Sequence, residues 1–388
     1  TSTGSIGDLY TPSGVRIETR LNIGGRDFAR LADNQELPEL GALTGNMLIS
    51  DGKGALGIDS LHIESDKPDL LSLKLDGRFD DFSKPQTFHL NAHVKARDAN
   101  LWWGLFDLEW PGHGLVDMDA QLTGGDGGSL LKAHLISGEE KVDLLLNTDF
   151  QSSPPQIKGK ITAENFFLPD PAEKKREQLA REREEKKNKN KKAKQPVFSR
   201  EPMDLDWLKK VDADLSVDIL SFDRTNSEAQ SANARAVLKS GRLSVGPATL
   251  VYPKGQASLD LQFDAGDQPR FSFSLSGENL DPWRGLNFEE SKTRGQFKSK
   301  DAEVDVNISL ASAGKSQHDM AANLQGEFYV TMKHGKISQS KLNLLFVDIV
   351  GWASDQARQR YDDVNCAIAD YTVEQGLVTT RAFFMDTD

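Results

Sequence analysis

Ala257-Ser-Leu-Asp-Leu-Gln-Phe-Asp264, Phe271-Ser-Phe-Ser-Leu-Ser276 and Val304-Asp-Val-Asn-Ile-Ser-Leu310 alternate apolar and polar residues. Side chains of a β-strand point alternately to opposite faces, so each segment predicts a strand with one apolar and one wet face. A short Gly/Pro turn separates the first two. Working outward, Leu71-Ser-Leu-Lys-Leu-Asp76, Phe88-His-Leu-Asn-Ala-His-Val-Lys95, Val116-Asp-Met-Asp-Ala-Gln-Leu122 and Val211-Asp-Ala-Asp-Leu-Ser-Val-Asp-Ile219 repeat the pattern. Turns rich in Gly, Asp and Pro separate them, as closely spaced antiparallel strands require. Gly54–Ile63 parallels Gly241–Leu250, and Leu71–Gly77 parallels Phe271–Gly277, which points to a degenerate hairpin repeat.

The bulk numbers agree with thin β layers. Apolar residues make up 37% of the 388 positions and aromatics 8%, low for a compact enzyme and high for a disordered chain. The net charge of −12 is uneven. Residues 171–195 hold 11 Lys/Arg against 5 Asp/Glu, leaving −18 for the remainder. A body this acidic argues against nucleic-acid partners. The basic stretch has Leu179 as its only large apolar residue and reads as a charged helical or disordered insertion. A solvated linker is favoured there over contact with anionic headgroups. Cys366 stands alone, so neither an intramolecular disulfide nor a Cys-based zinc site is expected. No run of about 18 apolar residues is present. The ends, Thr1 and Asp388, read as cut from a longer protein.

One helix is predicted near 340–360. Leu342, Leu345, Phe346, Ile349 and Val350 recur at helical spacing, and Leu344, Val347 and Trp352 widen the stripe.

Catalytic signals are weak. His89 and His93 share one strand face but stand roughly 13 Å apart, too far for one metal. His62 and His134 read as solvent-facing strand residues. The pairs Asp117/Asp119, Asp204/Asp206 and Asp212/Asp214 suit the polar side of amphipathic strands better than an acid/base pair. Gly124–Gly128 lacks the phosphate-loop Lys and reads as a hairpin turn. Leu101-Trp-Trp-Gly-Leu-Phe-Asp-Leu-Glu-Trp110 reads as an apolar cluster closing a sheet edge, with ligand or membrane contact as the functional alternative. No cofactor, metal or enzymatic activity is expected; a hydrolase using a strand Asp pair is the weakest of the readings.

From Val197 to Trp207-Leu208, through Gly241–Leu250, Phe273–Leu280 and Leu324–Ile337, to Asn365-Cys-Ala-Ile-Ala-Asp-Tyr-Thr-Val-Glu-Gln-Gly-Leu-Val378, the sequence resembles the AsmA family of bacterial envelope proteins. The resemblance covers 197–388 well and 1–170 only by strand character. It implies a periplasmic protein held in the inner membrane by a segment absent from this chain. It also implies an elongated β groove related to bridge-like lipid transfer proteins, with roles in phospholipid movement between membranes and in outer-membrane assembly.

The expected fold is therefore mainly β: an elongated curved antiparallel sheet forming an apolar groove. The expected division is 1–170 as the first part of the groove, 171–196 as the insertion and 197–388 as the AsmA-like region. Leu71, Leu73 and Leu75 are the expected lipid-binding residues of the first part. In the second, Leu259, Leu261 and Phe263, then Phe271, Phe273 and Leu275, then Val304, Val306 and Ile308 are expected to line the groove. The helix at 342–350 would cap one end. Phospholipid acyl chains are the expected partners. The alternatives are an ordinary sandwich core beneath these residues, and a scaffold for outer-membrane proteins that binds partners by strand edges.

Overall fold

The computed structural model describes residues 1–7, 13–24, 42–65, 71–84, 86–97, 114–125, 127–167, 198–222, 229–280, 303–338 and 361–387. Two compact units form. One comprises Thr1–Phe167 and Ala213–Leu220, the other Leu168–Asp212 and Ser221–Asp388.

In the first unit, strands β1 (Ser2–Ser5), β2 (Arg16–Ile23), β3 (Leu43–Ser50), β4 (Gly57–Ser65) and β5 (Leu71–Phe79) follow one another in the chain. So do β6 (Phe88–Ala96), β7 (Val116–Gly125), β8 (Gly128–Ser137), β9 (Glu140–Asp149) and β10 (Gln156–Glu164). Each pairs antiparallel with the next. Strand β11 (Asp212–Ile219) departs from that rule. Leu220 N donates to Ala163 O at 2.8 Å, Ser216 Oγ donates to Gly159 O at 3.4 Å, and Lys160 Nζ lies 2.8 Å from Asp218. These partners advance together along both strands, so β11 runs parallel to β10. The expectation of a purely antiparallel sheet is corrected at this one step. A parallel neighbour needs a long crossover, and the chain from 165 to 211, which contains the charged insertion, connects the two.

In the second unit, β12 (Ser231–Lys239), β13 (Arg242–Val251), β14 (Gln256–Asp264), β15 (Arg270–Leu280) and β16 (Glu303–Ala313) lead into helix α1 (Gln317–Ala322). β17 (Gln325–Ser338), β18 (Tyr361–Glu374) and β19 (Leu377–Thr387) complete the unit. All successive pairs from β12 to β19 are antiparallel. Two-residue turns set the register. Ser240-Gly241 and Gln375-Gly376 both have positive φ at each position, the twist that lets adjoining strands pair without splaying. At Gly246-Pro247 the β13–β14 register shifts, where proline supplies no backbone N–H to the ladder.

Within each unit, substantial contacts run between strands adjacent in a ladder, plus α1 against β16. Among the described residues no second sheet packs on either face. Expected helix 340–360, insertion 171–196 and the aromatic stretch 101–110 lie outside the described residues. Trp207 and Leu208 sit in a 3-10 turn, Asp206–Lys209, with Leu208 buried.

Candidate functional site: an apolar sheet face

Alternation fixes the faces, and register aligns them into rows across the strands. In the second unit Leu259, Leu275, Ile308, Phe328 and Tyr371 form one row from β14 to β18. Leu261, Phe273, Leu310, Gly326 and Val373 form the next. Phe263 faces Phe271 on one side of these rows, and Gly277, Val306, Val330 and Ala369 align on the other. All nine expected positions of this unit thus share one face. The opposite face is wet: Asp260, Ser274, Ser309 and Glu327 form a row there, all exposed.

Burial varies along the apolar face. At one end Val304, Met332 and Val364 are buried and packed with Val330, Ala367 and Met385. At the other, Ser312, Met320, Tyr371 and Val373 are buried. Here α1 crosses the strand end: Ser312 Oγ donates to Met320 O at 2.6 Å. Between the two ends Leu259, Leu261, Phe273, Leu275, Val306 and Ile308 are only half-buried. Phe328 stacks on Tyr371 at 4.4 Å between ring centres, and burial pushes the Tyr371 hydroxyl above its usual pKa.

The first unit repeats the arrangement. Ile63, Leu75, Ala92, Ala120, Ala133, Leu144 and Ile161 form a row across seven strands. Leu73 faces Val94, and Leu71 is in register with Ala96. Val94 and Val116 are the fully enclosed large side chains there, while Leu73 and Leu75 are half-buried. At Gly77 a Cβ would lie 2.7 Å from the His89 backbone oxygen, too close for any side chain without a shift of the ladder.

The rows offer dispersion contact and little else. Apolar burial is non-directional, so such a face holds a ligand without fixing its position along the sheet. Asp117/Asp119 and Asp212/Asp214 lie on the other side of the sheet, whereas Asp204/Asp206, expected on a strand, sit in and just before the 3-10 turn Asp206–Lys209; the pairs are structurally engaged. Asp117 Oδ2 meets Lys95 Nζ at 3.1 Å, Asp206 meets Lys209 at 3.3 Å, and Asp212 Oδ1 accepts from Ser240 N at 2.8 Å. Sequence reasoning missed the residues that extend the rows, Phe328, Val330, Ala369 and Val373. Their alternation with Glu327, Tyr329, Asp370 and Thr372 was the available signal.

Among the described residues no helix is long and apolar enough to cross a membrane. No curated protein and no solved structure matches the chain. Residues 131–383, well over half of its length, match the AsmA family model, reaching from β8 of the first unit to β19. The single-layer sheet and this match agree with the strand motifs from Val197 to Val378, and the chain belongs to the AsmA family.

Proposed function

We propose that the apolar face binds phospholipid acyl chains in the bacterial periplasm, as part of an inner-membrane-anchored protein that moves phospholipid between inner and outer membranes. The observation that carries this reading is the half-buried middle of the face, Leu259, Leu261, Phe273, Leu275, Val306 and Ile308, with no second layer over it among the described residues. Leaving such rows in water costs about 25 cal/mol per Å² of apolar surface. Acyl chains cover them and still slide, while headgroups remain in water, and no covalent step is needed. Family membership supports an envelope role.

Native mass spectrometry of gently purified protein tests this. Phospholipid adducts are expected on the parent chain and lost in Leu261→Asp and Phe273→Asp, with the strand signal in circular dichroism retained. Adducts that persist unchanged in both variants, or their absence from the parent, overturn it.

A second reading, an assembly factor recruiting partner strands, draws on β19. There Leu377 and Phe384 are 72% and 55% exposed. That reading expects binding to a partner's strand with no lipid present.

A further inference from the structure

The apolar face of the first unit is not level. In the row that runs from Ile63 to Ile161, the positions on β6, β7 and β8 are all alanine: Ala92, Ala120 and Ala133. The rows on either side carry larger residues on the same three strands. Leu90, Leu122 and Leu131 form one flank, and Val94, Met118 and Leu135 the other. Leu75 of β5 and Leu144 of β9 stand at the two ends. An alanine side chain stops at Cβ, so these three positions are the floor of a trough walled by longer side chains. Val94 and Leu135 are buried in the wall, while all three alanines remain partly open.

Side chains on one face recur at every second residue, which sets the two walls about 13 Å apart along the strands. Strands lie about 4.8 Å apart, so Leu75 and Leu144, four steps from each other, stand about 19 Å apart across them. The trough is longer across the strands than along them, and its floor is a single row of methyl groups. We infer that one acyl chain of a phospholipid lies in it, running across β6–β8 over Ala92, Ala120 and Ala133. This rests on the lipid reading above and adds to it a place, a direction and a count.

Shape and chemistry both select a hydrocarbon chain. A polymethylene chain seated there meets alanine methyls beneath it and Leu, Val or Met side chains on both flanks, and dispersion attraction grows with each such contact. The side chains of floor and walls offer no nitrogen or oxygen. A peptide laid on them would leave its N–H and C=O groups unpaired, a cost that an alkyl chain does not incur. A chain lying along the strands instead would have to climb the Leu90–Leu122–Leu131 wall. The second unit supplies a contrast. Its central row is Leu259, Leu275, Ile308, Phe328 and Tyr371, with no alanine in it.

Native mass spectrometry of the delipidated chain with saturating palmitoyl lysophosphatidylcholine, a single-chain probe, tests this. Ala120→Phe and Ala133→Phe each fill the floor with a ring, and each is expected to lower the maximum number of bound probe molecules by one. Gln121→Phe, exposed on the wet face of the same strand, is expected to leave the number unchanged. Thermal melts of the lipid-free variants, followed by circular dichroism, are expected to match the parent's. The inference is overturned, and the lipid reading stands, if the parent binds the probe and both alanine variants bind as many molecules. It is overturned too if Gln121→Phe also removes a molecule. A lower melting temperature in the lipid-free alanine variants overturns it as well, because protein side chains then already fill the trough. A parent that binds no probe overturns this inference and the lipid reading together.

Discussion

Asp59 on β4 accepts a hydrogen bond from the Ser50 hydroxyl of β3 and faces Lys53 Nζ at 3.0 Å. These contacts, the Ser50 hydrogen bond foremost, hold its carboxyl below the usual carboxylate pKa. Depressed in the fold, the group contributes stability that is present above its unfolded pKa, near 3.9, and is lost as pH falls through the folded value. Urea unfolding at pH 5 and pH 3 should therefore show a smaller acid-side loss for Asp59→Asn than for the parent. An unchanged loss would mean that Ser50 and Lys53 do not bias this carboxylate. At this scale the shared apolar face was legible, because alternation alone assigns Leu261 and Phe273 to the face opposite Gln262 and Ser272. Alignment into rows across strands was not legible, because it rests on register, and a shift of one residue in a ladder would send a side chain to the other face.

Helix α1 is six residues long and held by its cap. Ser316 is extended at the N-cap, and its hydroxyl accepts from Asp319 N at 3.1 Å. Hydrogen bonding from Ser316 holds the Asp319 carboxyl below its usual pKa. Ser316→Ala is expected to destabilise the second unit by about 1 kcal/mol, measured by urea unfolding. The Ser316-Gln-His-Asp319 spacing was a readable start signal. Six residues are too few to show helical periodicity, which is why the alternation of the flanking strands dominated the sequence reading. The parallel step from β10 to β11 was hidden for another reason. A strand's own alternation is the same whichever way its neighbour runs, so direction rests on the crossover and not on the strand. Two-residue turns such as Ser240-Gly241 leave no such freedom, and there the hairpins were predictable.

For the whole chain, lipid bound on the half-buried apolar rows, as proposed above, would tie stability to occupancy. A ligand that binds the folded state alone stabilises it by about 2.7 kcal/mol at a hundredfold excess over Kd. Differential scanning calorimetry of lipid-loaded and delipidated protein should accordingly show a higher Tm for the loaded form. Equal values would argue that the face is closed without lipid. The composition agreed with thin β layers, since 37% apolar content furnishes each strand with one greasy side, but it left open whether a second sheet covers that side. What composition did not disclose is where that side is sealed. The buried end at Val304, Met332 and Val364 emerges from packing between residues distant in sequence, and the end where Ser312 lies beneath Met320 from a short helix that the alternation did not announce.

Within each unit almost every ladder joins a strand to its successor in the chain. Contacts of that kind have low sequence separation, so each hairpin can form before the next is complete, and folding can advance stepwise from any nucleus. The same property makes length a separable variable. Adding or deleting a hairpin alters how many rungs the sheet has without disturbing the pattern of those that remain, much as a ruler is lengthened by further identical divisions.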